Sequence, residues 1–109
     1  MRILLDHCVD WRLARSLPAH SVRSTADMGW QKLRNGNLLA AAAGQFDVML
    51  TVDQNIRHQQ NLAKLPVAVV VVVAKTNRLA DLLPLVAAVE EAFKTLQPQT
   101  LMEVSLPVP

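Results

Sequence analysis

The segment from Val67 to Ala74 contains six valines and no polar residue. It is far too short to cross a bilayer as a helix, which takes about 20 apolar residues. It also lacks the apolar–polar alternation of a strand with one wet face. β-Branched side chains crowd a helix but suit a pleated sheet. The run therefore reads as a strand buried on both faces, the pattern of a central parallel strand, and its sheet must be covered above and below by other elements.

The rest of the chain supplies that cover. Arg2–Leu5 reads as a buried strand ended by Asp6, and Trp11–Leu17 carries apolar residues near helical spacing until Pro18. His20–Thr25 reads as a second strand and residues 26–35 as a turn around Gly29. Asn35 is placed to cap a helix through Leu38–Ala43 that stops at Gly44. Asp47–Thr51 is a third strand, residues 54–65 hold a short helix, and Val67–Ala74 is the fourth strand. Leu79, Leu82, Leu83, Val86, Val89, Phe93 and Leu96 form one apolar stripe. Within it, Pro84 either sits in a first turn capped by Asp81 or kinks the helix. Thr100–Ser105 is a last strand and residues 107–109 a loose tail.

This β-α alternation predicts a single α/β domain over residues 1–106. It would be a three-layer α/β/α sandwich with a mostly parallel sheet and right-handed crossovers. The chain has 109 residues, 51% of them hydrophobic, enough for one core and no second domain. With two tryptophans, two phenylalanines and no tyrosine, that core must be aliphatic. The single Cys8 allows no internal disulfide, no cysteine cluster suggests zinc, and no secretory pattern opens the chain, so a cytoplasmic protein is expected. The net charge of +2 decides little, but its distribution is uneven. Residues 1–64 hold eight Lys/Arg against five Asp, which fits a polyanion partner as well as an ordinary solvated surface.

In an open parallel sheet, ligands bind beyond the carboxyl ends of the strands. Asp6 follows the first strand and Asp53 the third. If those strands are neighbours, two like charges meet in one cleft, an arrangement that a cation between them would stabilise. Oxygen ligands favour Mg²⁺ or Mn²⁺, ions suited to activating water against a phosphodiester. Each Asp alone would equally serve as a turn former or helix cap.

Four segments carry a resemblance: Met-Arg-Ile-Leu-Leu-Asp-His-Cys-Val at the start, Met28-Gly-Trp30, Lys-Leu-Arg-Asn-Gly-Asn-Leu-Leu over 32–39, and Leu-Thr-Val-Asp-Gln-Asn-Ile-Arg-His-Gln-Gln-Asn-Leu over 50–62. In this order and spacing they resemble a bacterial family of small PIN-like proteins over most of residues 1–95. The resemblance implies a PIN-like fold and a metal-dependent ribonuclease of the kind found as the toxin of type II toxin–antitoxin pairs. Its implied partners are RNA, a cognate antitoxin and a second copy in a homodimer, with no membrane.

By position, Asp6 and Asp53 match the catalytic and metal-binding aspartates of that pattern. His7 stands where the family usually has Glu, and Asn37 where it has an acidic residue; no Glu precedes Glu90. His7, Asp10 and Asn37 are therefore the candidates to supplement the ion's ligands. Gln54, Asn55, Arg57, Lys32 and Arg34 are candidate RNA contacts, and Trp11 and Trp30 would either stack on bases or pack against neighbouring helices. Two rival readings remain: a PIN-like scaffold without catalysis that binds RNA or a protein, and a phosphate-accepting receiver-like domain, for which Lys75 is suggestively placed.

Overall fold

The computed structural model describes residues 1–106; the tail expected at 107–109 lies outside the described residues. The strands are β1 (Arg2–Leu5), β2 (Ser21–Ser24), β3 (Val48–Thr51), β4 (Ala68–Val73) and β5 (Leu101–Ser105). They form one sheet in the order β2-β1-β3-β4-β5, and all four pairings are parallel. The helices are α1 (Asn35–Ala42), α2 (Ile56–Gln59), α3 (Leu79–Leu82) and α4 (Val86–Thr95), with 3₁₀ turns at Trp11–Ser16, Leu62–Lys64 and Leu83–Leu85. The three-layer α/β sandwich expected from the valine run is what forms.

Successive side chains of a strand point to opposite faces, and this divides the core in two. Ile3, Leu5, Val48, Leu50, Val70, Val72 and Val104 face one layer, built from the 3₁₀ turn after β1 and from α3 and α4. Leu4, Met49, Val69 and Val71 face the other, built from α1 and α2. β3 is buried at every position and β4 at all but the last, which is why neither strand alternates in sequence.

The layers also correct the expectation of uniformly right-handed crossovers. The β3→β4 and β4→β5 connections both step the same way across the sheet. The first passes over the α1/α2 face and the second over the opposite face, so the two have opposite hands. The β1→β2 and β2→β3 connections share the hand of β3→β4, leaving the last crossover as the exception to a strong preference.

Pro84 takes the second of its two options. The C-terminal helix breaks into α3, a 3₁₀ turn over Leu83–Leu85 with Pro at its start, and α4. Proline brings no N–H to the ladder, and a 3₁₀ turn advances three residues rather than 3.6. The stripe therefore slips in phase, so that Leu82, Leu85, Val89, Ala92 and Phe93 are buried while Leu83 is 43% exposed. Asp81 is not the cap; it accepts a hydrogen bond from the Thr76 hydroxyl, and Arg78 occupies the cap position. Nor does Asn35 cap α1: it is the helix's first residue, behind Arg34.

Leu50 lies wholly buried at the centre of the sheet. Leu50→Ala is expected to cost about 2–5 kcal/mol in urea unfolding, and Leu83→Ala to stay within about 0.5 kcal/mol of the parent. Equal effects would contradict this division of the core.

Candidate functional site

β1 and β3 are neighbours, and from them the chain leaves to opposite faces of the sheet, so a crevice opens between their carboxyl ends. Asp6 and Asp53 both lie there. The Asp6 N–H still pairs with the Leu50 carbonyl at 3.0 Å, which fixes its backbone as an extension of β1. Its side chain is only 5% exposed. Oδ1 accepts from the His7 N–H at 2.8 Å, and Oδ2 accepts from the Thr51 hydroxyl at 2.7 Å.

Thr51 is the residue that sequence reasoning missed. Its Oγ1, while donating to Asp6, accepts the backbone N–H of Asp53 at 3.1 Å. One hydroxyl thus ties the first aspartate's carboxylate to the second's main chain. The available signal was a polar side chain ending the apolar run Val-Met-Leu of a buried strand. The Cys8 thiol lies against the same pair, 3.5 Å from Thr51 Oγ1 and 3.7 Å from Asp6 Oδ2, and burial pushes its pKa above the ordinary thiol value.

Asp53 has a structural task as well. Its Oδ1 accepts the Asn55 N–H at 2.9 Å, the Asx turn that leads into α2. Its Oδ2 accepts from Asn35 Nδ2 at 3.3 Å, and the same amide donates to Gln59 Oε1 at 3.1 Å. This engagement draws the Asn35 side chain away from the helix cap and into the crevice. Asn37, the position matched to a family carboxylate, is exposed on α1 and does not line the cleft of about 740 Å³ formed by His7, Lys32, Arg34, Asn35, Asp53 and Gln59 with their neighbours.

His7 and Asp10 are occupied elsewhere. His7 Nε2 lies 3.0 Å from the Leu33 carbonyl and Nδ1 lies 2.8 Å from the Thr25 hydroxyl. A carbonyl only accepts, so Nε2 must carry a proton. The ring therefore clamps the loop after β2 and offers no idle nitrogen to an ion. Asp10 caps the 3₁₀ turn and holds Arg12 through both carboxylate oxygens, at 3.0 and 2.7 Å. The guanidinium keeps the Asp10 carboxyl at about 2.

Of the expected RNA contacts, Lys32 and Arg34 do border the cleft beside Asp53. Gln54 and Asn55 are exposed on the loop into α2. Arg57 is committed to a salt bridge with Glu103 of β5. Trp30 packs edge-on against Phe46, with ring centroids 6.1 Å apart, whereas Trp11 is 59% exposed.

Among the described residues, no three His, Cys, Asp or Glu side chains gather closely enough to hold an ion. Thr51 links the Asp6 carboxylate to the Asp53 main chain, and the Asn35 amide meets the Asp53 carboxylate, but the two acids border different clefts, Asp53 that of Lys32 and Arg34 and Asp6 that of Trp11 and Thr25. Asp6 is nearly buried and has no cationic side chain within ion-pair distance among the described residues, so a bound cation would offset the cost of its charge. Comparison of the chain with protein-family models, curated proteins and solved structures returns no match. No helix among the described residues is long and apolar enough to cross a membrane.

Thr51→Val removes the shared hydroxyl at nearly constant volume. It is expected to destabilise the fold by about 1–3 kcal/mol in urea unfolding, and Thr51→Ser to recover most of the loss. A valine variant as stable as the parent would show that the hydroxyl joins nothing of consequence.

Proposed function

We propose that the chain is a divalent-cation-dependent ribonuclease of PIN-like type, acting as the toxin of a toxin–antitoxin pair. The observation that carries the reading is the pairing of Asp6 and Asp53 at the order reversal of the sheet, joined through Thr51. The sequence resemblance, which spans most of residues 1–95, supports the choice of RNA as substrate.

In this reading Asp6 and Asp53 are the anionic ligands, with the Asn35 oxygen beside them. A Mg²⁺ or Mn²⁺ ion held there would supply an activated water and a counter-charge for the scissile phosphate. Thr51 and the Cys8 thiol hold one oxygen of the Asp6 carboxylate, and the His7 N–H meets the other. His7 holds the loop that closes one wall. Lys32 and Arg34 attract the RNA backbone toward the cleft.

The alternative is a PIN-like scaffold that binds RNA or a protein partner without cutting. Specific observations favour it: His7 has both ring nitrogens engaged, Asn37 does not line the cleft, and Asp10 is held by Arg12. The anionic charge at the crevice is thus two carboxylates. A receiver-like domain would use the same edge but needs a second acid beside Asp6 and a lysine after a late strand. His7 stands at the first position, and β5 leads into Leu106, with Lys75 after β4 instead.

The test is cleavage of single-stranded RNA with Mn²⁺ or with EDTA, for the parent and for the double variant Asp6→Asn, Asp53→Asn. Mn²⁺-dependent cleavage lost in the double variant is expected. Equal cleavage by both proteins rejects this site, and no cleavage by either favours the scaffold.

A further inference from the structure

Trp11 is the aromatic residue that the core does not use. Trp30 and Phe46 pack on each other, and Phe93 is buried on the inner side of α4, whereas Trp11 is 59% exposed. It stands five residues after Asp6, on a ridge between two clefts. One, of about 410 Å³, has Asp6 and Thr25 in its wall. The other, of about 690 Å³, also has Arg78, on the loop after β4, in its wall. His7 borders both clefts.

The smaller cleft carries Asp6 and Asp27, whereas the charges on the side of the larger cleft suit an anion. Arg15 lies over the indole with its guanidinium carbon 5.3 Å from the ring centroid, a cation–π contact that holds a positive group beside the ring. Asp10, the one acid in the larger cleft, is already neutralised by Arg12. Arg78 is exposed, and its guanidinium has no hydrogen bond or ion pair among the described residues. An exposed indole with Arg15 over one side of its ring and the free guanidinium of Arg78 in the same larger cleft leaves a flat apolar surface for a base and positive charge for a neighbouring phosphate.

We infer that Trp11, with Arg15 and Arg78, forms a subsite for an unpaired RNA nucleotide, whose base stacks on the indole while an adjoining phosphate meets Arg78. The subsite borders the cleft of Asp6 and lies apart from the cleft that Asp53 shares with Lys32 and Arg34. Duplex RNA does not use it, because a base inside a helix has no free face to present. This assignment rests on the reading of the carboxyl edge of the sheet as an RNA-handling face, but it does not require that RNA be cut there.

Binding is measured by anisotropy of a short labelled RNA in EDTA, so that cleavage does not enter, for the single strand and for its duplex. Trp11→Ala is expected to weaken single-strand binding roughly five- to a hundredfold. Trp11→Phe should keep most of the affinity, Arg78→Ala should weaken binding and its salt dependence together, and duplex binding should not change with Trp11→Ala. Unchanged affinity in Trp11→Ala overturns the subsite, as does an equal loss in Trp11→Phe or the absence of any RNA binding by the parent. Trp11-dependent binding by a protein that cleaves nothing retains the subsite and removes the nuclease reading. Mn²⁺-dependent cleavage with no contribution from Trp11 does the reverse.

Discussion

In a strand buried at every position, a hydroxyl must find partners or cost the fold the desolvation of a polar group. Thr51, at the end of β3, finds them on both sides: it donates to the carboxylate of Asp6 on the neighbouring strand and accepts the N–H of Asp53 on its own. The carboxyl edge is organised from this point outward. Asp6 is held against the end of β1, and Asp53 is held where its side chain can both start α2 and receive Asn35 from α1. Loops that follow three different strands are thereby drawn to one crevice.

That crevice combines features that oppose one another electrostatically. Asp6 is a nearly buried carboxylate without a cationic neighbour, in the wall of one cleft, while Lys32 and Arg34 line the adjoining cleft with Asp53, and Arg78 stands on the loop after β4. Elsewhere some basic residues are paired, Arg2 with Asp47, Arg12 with Asp10 and Arg57 with Glu103. Under the proposed reading, the two acids would take the cation and the basic residues the polyanion. The same basic residues would serve a protein that only holds RNA.

Much of the framework could be read from the chain. β1 forms over the residues expected, and β4 lies within the valine run, because a strand buried on both faces writes its burial directly into composition. The edge strands and the third strand were also placed to within a residue or so. Features that depend on tertiary partners were not legible. Asn35 carries the same sequence signal whether it caps α1 or turns toward Asp53, and only the proximity of α2 and β3 decides between them. Leu83 matches the helical stripe until Pro84 tightens the turn and rotates it outward. The hand of the last crossover depends on which face α3 and α4 cover, and apolar spacing does not encode that. At the site, the two aspartates were visible as strand-end residues, whereas Thr51 lay hidden inside a run read only as core. The engagement of His7 by Leu33 and Thr25 required a loop whose path no local pattern specifies.

The central claim is that two carboxylates on separate strands act as one binding unit. Titration calorimetry with Mn²⁺, on the parent and on Asp6→Asn and Asp53→Asn separately, addresses it without reference to RNA or catalysis. A single saturable binding event that disappears in each variant is the predicted result. Saturable binding that survives intact in either one would mean that the carboxylates do not share an ion, and the account of the crevice would be wrong.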